Sequence, residues 1–375
     1  MKAAFVTTAL PPEPLGGAER YALRLAEALR ARGAQVDVVG RAVREHDAPA
    51  GGGAIRLRPI AHEYFGYLAS VRSWLGRHAR EYEVIQFFDV NHVSAVGLAA
   101  TLGSGTVRVL RDEQQLGMCA KRLGETRMPG LASASRRWLL SADVVVHATR
   151  SEDEPLVAWG FDRDRLAFVP NGIDVGGFPA TPLPATRTVV CPARLRPEKN
   201  HEDLLAAFAL VLSAVPDARL VLAGDGPMEA TIRRRVTDLG LDGTVEVRGH
   251  VRDMAALFRD CRVCALFSEW EGPALGVLEA ACAGRPAVVT AVGGLVDSVV
   301  DGVTGLHVDA RRPQECAASI ASLLTDDALA SRLGAAAARF VREERNLDVM
   351  ADRYLELMEG WSRNRAPHAR VVGVR

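Results

Sequence analysis

Short runs rich in β-branched residues alternate with longer helical patterns along this chain, and one Pro- and Gly-rich interruption divides them into two series. In the first series the runs 3–10, 35–40, 55–60, 84–89, 106–112, 143–149 and 166–170 are expected strands. Helical patterns lie between them, such as 18–31, where Tyr21, Leu25, Ala28 and Leu29 mark one face. Strands that alternate with helices of this length imply a parallel sheet covered on both sides. The segment 176–184, Gly-Gly-Phe-Pro-Ala-Thr-Pro-Leu-Pro, can continue neither a helix nor a central strand. The pattern then restarts, with strands expected at 189–193, 219–223, 245–249, 263–267, 287–291 and 306–308, and helices at 202–214, 228–239, 275–283 and 314–324. Helical stretches at about 327–343 and 347–361 close the chain. The expected fold class is α/β, with two Rossmann-like domains, residues 1–175 and 176–346. Open parallel sheets bind ligands at the carboxyl ends of their strands, so two of them facing each other would enclose a nucleotide-sized cleft.

The 375 residues suffice for two domains with cores of their own. Lys+Arg and Asp+Glu number 46 each, which gives no reason to expect nucleic acid as a partner. Six scattered cysteines suit a reducing compartment. No stretch is long enough to span a bilayer, and the apolar start runs directly into Pro11-Pro12, so it reads as a buried first strand rather than a signal segment. These features together point to a cytoplasmic protein. Lys121, Arg122, Arg127, Arg136 and Arg137 form a basic segment that reads as a solvated helix face, with lipid docking as the alternative.

Four features fall on strand-to-helix turns. Gly16-Gly17 opens the first helix, where free N–H groups attract an anion, although a plain tight turn needs the same residues. Arg194 and Lys199 follow the first strand of the second series and precede a helix start, a setting that can neutralise a diphosphate or simply form a charged loop. Glu271 and Glu279 stand eight positions apart across a turn and a helix start. Carboxylates accept pairs of sugar hydroxyls, and Glu279 buried inside the apolar run 275–283 would be costly without such a partner. Gly293-Gly294 is a further strand-to-helix turn. Two other motifs carry less. Cys261-Arg-Val-Cys264 overlaps a strand and lacks a second pair, so it reads as core rather than as zinc ligands. Asp162-Arg-Asp164 lies in a polar turn and reads as turn chemistry rather than as a metal–nucleotide site.

At these residues the chain resembles the retaining family-4 glycosyltransferases of the GT-B fold. The matches run in order from Gly16-Gly17-Ala18-Glu19-Arg20 and Val169-Pro170-Asn171-Gly172-Ile173-Asp174 to Arg194 with Lys199. Ala223-Gly224-Asp225-Gly226-Pro227, Gly249-His250-Val251, Glu271 through Glu279, Gly293-Gly294 and Asp301-Gly302-Val303-Thr304-Gly305 follow. The resemblance implies that Arg194 and Lys199 clamp the diphosphate of a nucleoside-diphosphate sugar and that Glu279 holds its ribose. Glu271 and the N–H groups of Ala274 and Leu275 would receive the sugar, and Gly16 and Gly17 would close over phosphates and acceptor. It also implies that the C-terminal helix, about 347–362, crosses back onto the first domain. The turn with Val251 and Asp253 resembles the base-binding turn, in which Asp253 would read guanine or else cap the next helix.

Two departures stand out. Pro273-Ala274 replaces small flexible residues, and Arg111-Asp112 stands where many relatives carry His-Asp. Arg111 is then expected either to contact acceptor or donor sugar beside Asp112, or to form a structural ion pair. The implied activity is metal-independent, retaining transfer to a small-molecule or glycan acceptor in cell-envelope glycan or natural-product biosynthesis, with no cofactor beyond the donor. The alternatives are a sugar-nucleotide epimerase and a non-catalytic nucleotide-sugar-binding subunit. A nicotinamide enzyme is disfavoured by the lack of a G-x-G-x-x-G turn.

Overall fold

Val144–His147, Val263–Leu266 and Ala287–Thr290 are strands without one exposed residue, as expected where helices cover both faces of a parallel sheet. The computed structural model describes residues 1–10, 17–41, 54–57, 63–112 and 130–364. They divide into two units, Met1–Pro170 with Met350–Arg375, and Asn171–Val349.

Unit 1 runs β1 (Lys2–Ala9), α1 (Gly17–Arg30), β2 (Gln35–Arg41), β3 (Ala54–Leu57), α2 (Glu63–His78), β4 (Val84–Phe88), α3 (His92–Ala100), β5 (Val107–Asp112), α4 (Leu131–Leu139), β6 (Val144–His147), α5 (Asp153–Trp159) and β7 (Leu166–Phe168). Its strands are all parallel, in the order β3-β2-β1-β4-β5-β6-β7. Ile85, Phe87, Leu110 and Val145 from the sheet pack with Val71, Leu75, Val93, Leu98 and Leu139 from α2, α3 and α4.

Unit 2 runs β8 (Thr188–Cys191), α6 (His201–Ala214), β9 (Arg219–Ala223), α7 (Glu229–Asp238), β10 (Val245–Gly249), α8 (Met254–Asp260), β11 (Val263–Leu266), α9 (Leu275–Cys282), β12 (Ala287–Thr290), α10 (Gly294–Ser298), β13 (Gly305–Val308), α11 (Pro313–Thr325) and α12 (Asp327–Glu344). Its parallel sheet has the order β10-β9-β8-β11-β12-β13. Each sheet therefore places its first strand beside its fourth, which is the switch point of the doubly wound pattern.

The division lies at 170/171 rather than at the expected 175/176, because Ile173 and Val175 pack with Leu278, Ala281 and Val341 of unit 2. Ile173 donates its N–H to Arg345 and accepts from Leu347. The Arg285 guanidinium, fully buried, donates to the carbonyls of Thr181 and Pro182. α13 (Leu347–Asn364) passes from one unit to the other, with the division at 349/350. It is fastened to unit 1 by the Arg32–Asp352 ion pair at 2.5 Å, by Tyr354 on Gln86 and by Ser362 on Glu83. Among the described residues no helix is long and apolar enough to cross a membrane.

Candidate functional site

Backbone hydrogen bonds join the loops that leave the carboxyl ends of β8, β9, β11 and β12. Leu195, fully buried between exposed Arg194 and half-buried Arg196, donates its N–H to Asp225 and accepts from Met228. This contact explains the glycines of the β9 turn. A Cβ on Gly224 would lie 2.1 Å from the Ala193 carbonyl oxygen, and one on Gly226 would lie 2.3 Å from that of Leu195. Both glycines hold the 193–195 segment in place by allowing close backbone approach. Glu269 donates its N–H to the Glu198 carbonyl at 2.9 Å, and Gly294 donates to the Glu271 carbonyl at 2.9 Å. Thr290 Oγ1 donates to the Ser268 carbonyl at 2.7 Å, so the β11 and β12 turns are bound at two points.

Lys199 and Glu271 meet at the middle of this construction. Lys199 ends a tight turn, Pro197–Lys199, and Asn200 follows at φ 47°. Asn tolerates this left-handed conformation better than most residues. Its side chain caps α6 through the Asp203 N–H, which sets Lys199 at the start of that helix. The Lys199 ammonium lies 2.6 and 2.5 Å from the two carboxylate oxygens of Glu271, and both side chains are nearly buried. Ser268 Oγ donates to Glu271 Oε2 at 2.9 Å. His201, two residues later and first in α6, is 3% exposed. Burial, with the nearby Lys199 charge, pushes its imidazole down to about 4, so it is neutral near pH 7.

The other expected donor residues differ in enclosure, and Ala274 among them is buried. Arg194 is exposed and makes no ion pair among the described residues. Glu279 is half-buried on α9 rather than buried. Ala274 and Leu275 form the start of that helix. Val251 packs on the unit 2 core. Asp253 caps α8, accepting the Ala256 N–H at 2.8 Å, which is the capping alternative to guanine recognition. Ser268 was missed by sequence reasoning; its signal was the spacing Ser-x-x-Glu before a helix start.

The remaining candidates belong to unit 1. Gly17 opens α1, while Gly16, Lys121, Arg122 and Arg127 lie outside the described residues. Arg111 belongs to β5 itself and is fully buried. Its guanidinium lies over the rings of Tyr21 and Tyr354, 4.7 and 5.5 Å from their centroids, and donates to the Val169 carbonyl at 3.2 Å. The guanidinium is enclosed by packing. Asp112 is also buried and is registered with His147 on β6. Both His147 ring nitrogens are engaged, by Asp153 and by the Thr149 carbonyl.

Cys261 and Cys264 are fully buried, and burial pushes the Cys261 thiol up to about 12, as expected of core residues. Among the described residues no group of three or more His, Cys, Asp or Glu is placed to hold a metal. A cavity of about 580 Å³ lies along β10 and the amino-terminal ends of β8 and β9, where Arg219, Arg233, Asp242, Glu246, Arg248 and Asp260 give it mixed charge.

Residues 181–340 match the family model described as Glycosyl transferases group 1, and residues 16–172 match that of the Glycosyl transferase 4-like domain. The GDP-mannose-dependent alpha-(1-6)-phosphatidylinositol monomannoside mannosyltransferase of Mycobacterium tuberculosis is 29% identical over 260 residues, 64% of this chain and 67% of the relative. The D-inositol 3-phosphate glycosyltransferase of Xylanimonas cellulosilytica is 29% identical over 364 residues, 86% of each chain. Among solved structures, the sucrose-phosphate synthase of Thermosynechococcus elongatus gives a TM-score of 0.80 at 24% identity, over 97% of this chain and 99% of that one. Anabaena HepE in complex with UDP and glucose gives 0.77 at 20% identity, over 96% and 100%. Both structures share the fold.

Proposed function

We propose, from the premise that the chain belongs to the group 1 glycosyltransferases of family 4 with the GT-B fold, that it moves a sugar from a nucleoside diphosphate to an acceptor with retention of anomeric configuration. The observation that carries this reading is the joining of the β8, β11 and β12 turns around Lys199 and Glu271, with exposed Arg194 on the same loop as Lys199. Arg194 and Lys199 receive the diphosphate, Glu271 with the N–H groups of Ala274 and Leu275 receives the sugar, and Glu279 receives the ribose. The turn with Val251 and Asp253 lies on the nucleobase side. The departing phosphate oxygen takes the acceptor proton on the face it leaves, so no strong protein base is required. The protein stabilises charge that grows on the diphosphate. A cation about 4 Å away contributes on the order of 4 kcal/mol at an effective dielectric near 20, of which only the increment over the ground state speeds the reaction.

No metal or cofactor is assigned to this reaction, because the two cations supply the neutralisation. Two relatives name the first substrates to test: GDP-mannose as donor, and inositol phosphates and mannosylated phosphatidylinositol as acceptors. UDP-glucose is the second donor, prompted by the UDP and glucose complex of HepE. The test incubates the chain with each donor and acceptor in EDTA and reads the anomeric coupling of the product by NMR. A glycoside that keeps the donor's configuration is expected. An inverted product, activity lost in EDTA and restored by manganese, or a new sugar nucleotide without transfer would overturn the assignment.

A further inference from the structure

Resting on that donor-site reading, we infer that Ser268 is a positioning residue for Glu271, and that the diphosphate exposes the Glu271 carboxylate to the sugar by drawing Lys199 away from it. As the site stands, both carboxylate oxygens of Glu271 are taken by the Lys199 ammonium at 2.5–2.6 Å. One group cannot fully serve two partners. Phosphate oxygens compete with the carboxylate for the same three N–H donors, and sugar hydroxyls compete with the ammonium for the same carboxylate lone pairs. Ser268 lies outside this competition. It is 1% exposed, its hydroxyl meets Oε2 at 2.9 Å, and its own carbonyl is held by Thr290. Loss of an ammonium leaves a nearly buried carboxylate in need of donors. Ser268 keeps the group aimed while sugar hydroxyls take the places that Lys199 vacates.

Exchange of this kind makes the sugar matter to affinity. A nucleoside diphosphate alone must break the Lys199–Glu271 pair and offers the carboxylate nothing in return. A nucleotide sugar breaks the same pair and refills it with hydroxyls. The coupling separates two quantities, the affinity for the bare diphosphate and the ratio of sugar-nucleotide to diphosphate affinity.

The experiment is calorimetric titration of the whole chain with GDP, GDP-mannose, UDP and UDP-glucose, in the wild type, Glu271→Gln and Ser268→Ala. Glu271→Gln is expected to tighten binding of the preferred diphosphate by about three- to tenfold and to bring the sugar ratio close to one, a change on the scale where 1.4 kcal/mol is tenfold. Ser268→Ala is expected to lower the sugar ratio at least about threefold while diphosphate affinity stays within about twofold. Melting temperatures with and without diphosphate accompany each titration. If Ser268→Ala fails to fold, Ser268→Cys carries the positioning test, since its thiol is similar in size and only a weak donor, with the same lowered sugar ratio expected. Unchanged or weaker diphosphate binding in Glu271→Gln would overturn the exchange, and an unchanged sugar ratio in folded Ser268→Ala would overturn the positioning role. In either case the donor-site assignment survives if the wild type binds one of the nucleotides. A wild-type chain that binds none of them overturns both.

Discussion

Replacing Arg111 by methionine removes a guanidinium from the interior of unit 1 while keeping much of the side-chain length. The guanidinium is fully buried and lies over the rings of Tyr21 and Tyr354 at 4.7 and 5.5 Å. Contacts of this type contribute roughly 0.5–2 kcal/mol each. The charged hydrogen bond to Val169 adds about 1.5–3 kcal/mol and leaves a carbonyl behind when it goes. Against this, methionine escapes the cost of burying a charge and keeps apolar contact, which offsets part of the loss. The net expectation is a destabilisation of about 2–4 kcal/mol, equivalent to a fall in melting temperature of very roughly 4–16 °C for a unit of this size. The assay pairs thermal and urea unfolding with nucleotide titration. Because the unit 2 core contains none of these residues, nucleotide affinity of the folded variant should match the wild type. Arg111→Lys should fall between, since an ammonium lacks the planar face that stacks on the tyrosines. Wild-type stability of Arg111→Met, together with a raised acceptor KM or lost turnover, would refute this reasoning and return Arg111 to the reaction centre.

Further outcomes follow from single side chains. His201 should make stability fall as the pH drops. Its pKa goes from 6.5 to about 4 on folding, so the unfolded chain takes up the proton first, and the contribution is complete above about 6.5 and lost towards pH 4. A difference of 6.5 − 4 = 2.5 units is about 3 kcal/mol, so urea midpoints for His201→Gln should depend on pH in this window less steeply than those of the wild type. Gly226→Ala should cost roughly 1–3 kcal/mol and weaken nucleotide binding in titrations, since its Cβ would collide with the Leu195 carbonyl and displace the Arg194 loop. Asp253→Ala should cost about 1 kcal/mol of stability through the lost cap of α8, whereas Asp253→Asn, an equally good cap, should leave the melting temperature nearly unchanged. Weaker GDP binding in Asp253→Asn at unchanged stability would give this residue a second role in reading guanine.

Much of the fold was legible because a covered parallel sheet writes its strands as short apolar runs. Arg219–Ala223 and Val245–Gly249 agree with expectation to the residue, and most other strands stop short of it, as Val84–Phe88 and Leu166–Phe168 do. The domain boundary was less legible. Prolines and glycines in 176–184 mark a break in regular structure, but nothing local says that Ile173, before that break, bonds to Arg345 and Leu347 far along the chain. Arg111 was legible only as two alternatives, a contact to acceptor or donor sugar and a structural ion pair. Its packing against Tyr21 and Tyr354 is set by residues distant in sequence. At the candidate site the charges were legible, Arg194, Lys199, Glu271 and Glu279 among them. The pairing of Lys199 with Glu271 was not, because it depends on the β8 and β11 turns lying side by side.

Hydrogen–deuterium exchange of the whole chain, with and without saturating GDP or UDP, measures most directly where the donor is held. A bound ligand that orders these loops slows local opening there. Slower exchange is predicted in residues 194–200, 268–279 and 292–296, with the remainder of unit 2 changed little. Nucleotide-dependent protection confined to residues 1–170, with these three loops unaffected, would contradict the placement of the donor on unit 2.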